Sequence, residues 1–210
     1  MKKSKPLHLF ISHITEHKQS AETLAQELKR YNIKPFVAHK DIEPTAEWQK
    51  EINDFLCESD CMLAMLHSGY STSTWCNQEV GFCVGRNIPI ISLKFEEEPQ
   101  GFIGKCQAYI PQHHMDIKLD APEIVNIIHK KAKTKDSIRS WLINSFYSSS
   151  SYNSTEILCK AIESLTLTSQ EIEEIKTAFL QNPEVSGMHK RMRHILGDNW
   201  VDTYWKQLSK

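Results

Sequence analysis

Along the first half of the chain, short apolar runs alternate with helical stripes, and no other feature restricts the fold as much. The runs are LHLFIS at 7–12, KPFVA at 34–38, CMLAML at 61–66 and IPIISL at 88–93. Between them, SAETLAQELKRY at 20–31 puts Ala21, Leu24, Ala25, Leu28 and Tyr31 on one helical stripe. EWQKEINDFLC at 47–57 turns Trp48, Ile52, Phe55 and Leu56 inward in the same way. A third helix is expected at STWCNQEVGFCVGR, 73–86, with Val80, Cys83 and Val84 as its core stripe. A weaker fifth strand is expected near CQAYI at 106–110, and a helix over 122–133 closes the unit. Strand and helix in strict alternation imply a parallel sheet covered on both faces, as the wholly apolar CMLAML requires. Right-handed crossovers bring the C-terminal strand ends to one rim, where such sheets bind ligands. The loops after Ser12, Ala38, Leu66 and Leu93 should therefore border any site.

The pattern changes near residue 133. KTKDSIRSWLINSFY, TEILCKAIESL, a helix opened by a Thr168/Glu171 capping box, one with Met188, Met192, Ile195 and Leu196, and one with Trp200, Val201, Tyr204, Trp205 and Leu208 are all helical. Two domains are expected, a sheet domain over 1–133 and a helical extension over 134–210. The hydrophobic share of 40% and charged share of 24% fit a globular chain, and a net charge of −1 offers no broad field for nucleic acid or anionic lipid. No apolar run is long enough for a membrane span, and the N-terminal lysines precede too short an apolar run for a signal peptide. The cysteines Cys57, Cys61, Cys76, Cys83, Cys106 and Cys159 form no Cys-x-x-Cys. They are expected to be reduced, buried thiols in a cytoplasmic protein.

Several chemistries lack their residues. The first strand ends in Ile-Ser-His, without the acidic cluster of a phosphoryl-accepting receiver domain. There is no P-loop, no Gly-x-Gly-x-x-Gly after a strand and no Gly-x-Ser-x-Gly elbow. His113 and His114 are adjacent, so their side chains diverge, and no metal is expected. What remains is Glu79, four residues after Trp75 on a helix that starts at the rim. From spacing alone, Glu79 reads as an acid that favours the helix dipole. A single carboxylate beside an aromatic ring can do more where the leaving group needs no protonation. The bond from ribose to a pyridinium is such a case: nicotinamide leaves neutral, and a nearby anion stabilises the oxocarbenium-like ribose.

LFISH, FVAHKDIEPTAEWQKEI and STWCNQEVGFCVGR together resemble a bacterial Toll/interleukin-1 receptor (TIR) domain over about residues 6–133. The resemblance implies a flavodoxin-like five-stranded parallel sheet, followed here by the all-helical extension. It also implies NAD+ as substrate, with no cofactor, Glu79 as the catalytic carboxylate and Trp75 as its aromatic companion. Phe10, Ser12 and His13 would line the nucleotide pocket. The loop over 39–46, with His39 and Asp41, would gate the site or contact a neighbouring subunit. The products would be nicotinamide with ADP-ribose or a cyclic isomer. The resemblance suggests anti-phage defence of the Thoeris type, self-association through TIR domains, and a downstream effector that responds to the nucleotide product.

Plainer roles compete for these residues. Trp75 and Trp48 suit core aromatics, His13 a hydrogen-bonded loop histidine, and His39 with Asp41 a turn. HKRMRH at 189–194 suits a solvated helix face better than a nucleic-acid contact. At the level of function, the competing expectation is a TIR adaptor that acts by self-association without chemistry. A third, a nucleoside deoxyribosyltransferase-like enzyme, is disfavoured by the FVAHKDIEP loop.

Overall fold

The computed structural model describes residues 5–37, 46–132, 135–163 and 165–208. It divides into two compact units, Met1–Ile138 and Arg139–Lys210. The first unit runs β1 (Leu7–Ser12), α1 (Lys18–Leu28), β2 (Ile33–Val37), α2 (Ala46–Glu58), β3 (Cys61–Leu66), α3 (Thr74–Gly85), β4 (Ile90–Lys94) and α4 (Ala121–Lys131). The strands form one parallel sheet in the order β2-β1-β3-β4. Every residue of β1 and β3 is buried, whereas β2 and β4 are buried in part. Continuous apolar runs thus became the central strands, because only there are both faces covered.

Alternation along the strands sorts side chains between the faces. Phe10, Met62, Ala64 and Leu66 join Ile52 and Leu56 of α2 and Cys76, Val80 and Cys83 of α3 in one core cluster. On the other face α1 packs on β2 and α4, and α4 on β4. Asn32 and Asn87 take left-handed φ values of 56° and 53° where α1 and α3 hand over to strands. Asparagine tolerates that region better than other side-chain-bearing residues.

The sheet has four strands where five were expected. The segment expected as the fifth contributes a single bridge, Leu93 to Tyr109, in which Tyr109 N donates to Ser92 O and Lys94 N to Tyr109 O. The next rung of a parallel ladder would need an N–H from residue 111, which is Pro111. The thiols also depart from expectation. Cys61, Cys76, Cys83 and Cys159 are buried, whereas Cys57 and Cys106 are exposed. Both lie beyond the apolar stripes that cover the other four.

α5 (Lys135–Ser148) carries the division between the units. Then follow α6 (Tyr152–Ile162), α7 (Ser169–Gln181), α8 (Pro183–Gly187), α9 (His189–Leu196) and α10 (Asp198–Leu208). The expected capping box is present at the start of α7, with Thr168 and Glu171 each bonding the other's backbone. In HKRMRH, Met192 is buried, Arg191 pairs with Glu163 and Glu156, Arg193 pairs with Asp202, and His189 stacks on Trp205. The side chains of Trp48 and Ile138 lie outside the described residues.

Candidate active site

β1 has β2 on one side and β3 on the other, so the chain leaves it in opposite directions. In parallel sheets that reversal opens a crevice at the C-terminal strand ends. Ser12 is the last residue of β1 and points toward the α2/α3 face, as Phe10 does one pleat earlier. Ser73 caps α3, its hydroxyl accepting from Cys76 N at 3.4 Å. From that start, Cys76, Glu79, Val80 and Cys83 form the buried stripe of α3.

This stripe corrects the expected one. Val84 is 37% exposed, and Glu79 sits on the buried side among core residues, with 4% of its surface exposed. Glu79 also lies beyond the first turn of α3, which holds no acidic residue. The helix dipole acts mainly within that turn, so it does not account for the position. A carboxylate this buried is costly unless it is hydrogen-bonded. Ser12 Oγ donates to Glu79 Oε2 at 2.5 Å, and the same Ser12 oxygen lies 2.7 Å from the Tyr70 hydroxyl.

Tyr70 lies in HSGYSTS, the mostly polar loop between β3 and α3. It is 3% exposed and belongs to the core cluster. Burial, and after it the Cys76 thiol, push its phenol well above its ordinary value, so it keeps its proton. Two glutamates just after β4 hold its loop. Glu97 accepts from Gly69 N at 2.5 Å and Ser71 N at 2.9 Å, and Glu96 accepts from His67 Nδ1 at 2.9 Å. Burial alone would raise the Glu97 carboxyl, but the Ser71 and Gly69 amides outweigh it and hold it below its ordinary value. Gly69 turns the loop at φ 98°, a conformation that strains any residue with a side chain. No periodicity could have revealed Tyr70. The only signal was an aromatic residue inside an otherwise polar run.

Of the other expected residues, His13 is 3% exposed; its Nδ1 donates to Ile14 O at 2.7 Å, and its own carbonyl accepts from Cys76 Sγ at 3.5 Å. Trp75 is half-buried against the core cluster. Phe10 has no exposed surface and stacks on Phe36 at 5.6 Å, so it forms the floor beneath Ser12 rather than a pocket wall. His39 and Asp41 lie outside the described residues. The structure thus brings Ser12, Glu79 and the unforeseen Tyr70 together; His13 follows Ser12 in the chain, and Trp75 lies four residues before Glu79 on α3.

Two further features mark the rim. His17, His67 and Phe95 stack in sequence, with ring centroids 3.5 Å and 3.9 Å apart. Burial lowers the His67 imidazole below its ordinary value against the opposing pull of Glu96. A cavity of about 390 Å³ is walled by Tyr70, Asn77, Val80, Glu97 and Phe102. His113 faces Asp120 and His114 faces Phe95. No group of three potential metal ligands is assembled among the described residues. Among the described residues no helix is long and apolar enough to cross a membrane. A buried carboxylate held at a ligand crevice can stabilise positive charge that develops on a bound molecule.

Among proteins of curated function, none matches the chain in sequence. Among solved structures, the chain is similar to the TIR domain of the Toll-related receptor TRR-2 from Hydra magnipapillata. The match is 18% identical with a TM-score of 0.44, over 57% of this chain and 94% of that one. The family model described as TIR domain matches residues 9–121, more than half of the chain and the whole span from Ser12 through Glu79. The chain belongs to the TIR domain family.

Proposed function

We propose that this TIR protein cleaves NAD+ at the bond between nicotinamide and ribose, with Glu79 as the catalytic carboxylate. The observation that carries this reading is the burial of Glu79 at the strand-end crevice, with Ser12 donating to it. The C–N bond breaks and its electron pair leaves with nicotinamide, which departs neutral. The ribose carbon becomes cationic, and the Glu79 carboxylate stabilises it through space. Attack by water gives ADP-ribose, with the water's proton released to solvent. Attack by an internal oxygen or nitrogen gives a cyclic isomer. Trp75 supplies an apolar wall beside the carboxylate.

On this reading the TIR domains self-associate to complete the site, and the helices after residue 133 help or restrain that assembly. The setting is the bacterial cytoplasm, in anti-phage defence, with the nucleotide product passed to a downstream effector. The competing reading is an adaptor that assembles through its TIR domain and does no chemistry.

The test is to incubate the full chain, over a range of concentrations, with NAD+ and to quantify nicotinamide. Wild type should release it, and Glu79→Ala should lower the rate by about 10² to 10⁴. Release at equal rates from both would remove Glu79 from the mechanism. No release from wild type at any concentration would favour the adaptor.

A further inference from the structure

We propose that Tyr70 is a positioning residue for Glu79 and acts through Ser12, the phenol donating to the serine hydroxyl and the serine hydroxyl to the carboxylate. This rests on the reading of Glu79 as the catalytic group. The direction of the chain follows from the count of protons. A serine hydroxyl has one hydrogen. It lies along the 2.5 Å contact to Glu79 Oε2, so the 2.7 Å contact to Tyr70 must be filled by the tyrosine's hydrogen.

The three groups come from three separate places: the end of β1, the loop after β3, and the second turn of α3. Ser12 is 58 residues from Tyr70 and 67 from Glu79 in sequence. A serine hydroxyl rotates easily and does not by itself choose a partner. With Tyr70 on its acceptor side, its hydrogen is directed at Glu79. Tyr70 can do this because its own place is fixed. Its backbone N–H donates to His67 O at 3.0 Å, and its carbonyl accepts from Ser73 N at 3.1 Å. Glu97 grips the chain on both sides of it, at Gly69 and Ser71.

A phenol buried to this degree is an expensive way to fill space if its hydroxyl has no task, since phenylalanine would pack as well. Ser12 is its one hydrogen-bond partner among the described residues. The other titratable groups that act on the phenol are Cys76, Cys83 and Glu79 itself, all on α3. His13, next along the chain from Ser12, turns its Nδ1 to Ile14 O. Among these groups the Glu79 carboxylate is the one that the serine bridges to the phenol.

The experiment uses the full chain with glutamate carboxyls labelled with ¹³C, the Glu79 signal being identified by its loss in Glu79→Gln. Its titration is followed in wild type, Tyr70→Phe, Ser12→Ala and the double variant, with nicotinamide release from NAD+ measured across pH in parallel. Tyr70→Phe keeps the ring and its packing. It should raise the Glu79 titration by about one pH unit and move the acid limb of turnover with it, while KM changes little. Ser12→Ala should raise it at least as far, and Tyr70→Phe should add nothing once Ser12 is gone. A Glu79 titration that is the same in wild type and Tyr70→Phe overturns the proposal, as does a full Tyr70→Phe effect without Ser12. The two readings fail separately. A moved titration in a protein that releases no nicotinamide removes the NAD+ reading and leaves the positioning chain standing. Turnover with an unmoved titration removes the chain alone.

Discussion

In the helical unit the buried amide of Asn182 reaches only backbone. Its Nδ2 donates to Phe146 O and Ser149 O at 2.9 Å each, and its Oδ1 accepts from Glu184 N at 3.0 Å. In the sheet unit the buried hydroxyl of Ser12 reaches only side chains, Tyr70 and Glu79. The two arrangements have different consequences. Asn182 satisfies carbonyls at the end of α5 that no helix bond can reach, and it caps α8, so it maintains the path of the chain. Nothing in the path of β1 or α3 requires the bond between Ser12 and Glu79. A buried charge that takes a hydrogen bond from a side-chain hydroxyl costs stability that the fold must recover elsewhere, which is the usual mark of a functional site.

The comparison breaks most visibly at Glu79. Glu79→Gln keeps the shape of the side chain and a hydrogen-bond acceptor for Ser12 but removes the charge. Its expected effect on nicotinamide release is a loss of about 10² or more. Its expected effect on stability is nil, or a gain of up to about 2 kcal/mol in urea unfolding, because a desolvated charge disappears. A clear loss of stability would show that the carboxylate holds the fold together, and the contrast with Asn182 would fall.

Asn182→Ala should behave in the opposite way. The buried Phe146 carbonyl and the half-buried Ser149 carbonyl lose their donor and α8 loses its cap, at an expected cost of about 2–4 kcal/mol in urea unfolding. Turnover per folded molecule should not change. If the variant unfolds as wild type does, Asn182 is not the anchor of its unit.

The same contrast explains which parts could be read from the residues. β1 and β3 were legible because a central parallel strand is mostly apolar, as LHLFIS is apart from His8 and Ser12 and CMLAML is throughout. The cap of α7 was legible because Thr168 and Glu171 are local partners. Glu79 was legible as a candidate only beside Trp75 and the neighbouring family blocks. Its burial was less so, because Trp75, Val80, Phe82, Cys83 and Val84 make α3 apolar on several sides and leave the inward stripe ambiguous. The spacing of Cys76, Val80 and Cys83 held the answer. Tyr70 was not legible, since its partner is 58 residues away and loops carry no period. The fifth strand failed for a reason that was in view, the missing donor of Pro111. α8 spans too few residues to display a helical repeat.

The smallest expected effect sets a second carboxylate against Glu79. Glu171 accepts from both Arg139 Nε and Nη2, and from Thr168 N at 2.7 Å. The Arg139 bonds, working against burial, hold its carboxyl at about 2 rather than its ordinary 4.5. The folded pKa lies below the unfolded one, so the folded state binds fewer protons in between. The stabilisation is complete above about pH 4.5 and is lost as pH falls toward about 2. Water reaches part of both side chains and screens the pair, so an effect of about 1–2 kcal/mol is expected. Urea unfolding of wild type and Glu171→Gln measures it. Wild type should be more stable near neutral pH, and the gap should close as the medium approaches pH 2. A gap unchanged across that window would mean that the charge on Glu171 contributes nothing. The two carboxylates would then no longer differ in sign, with one stabilising its unit through its charge and the other costing its unit stability.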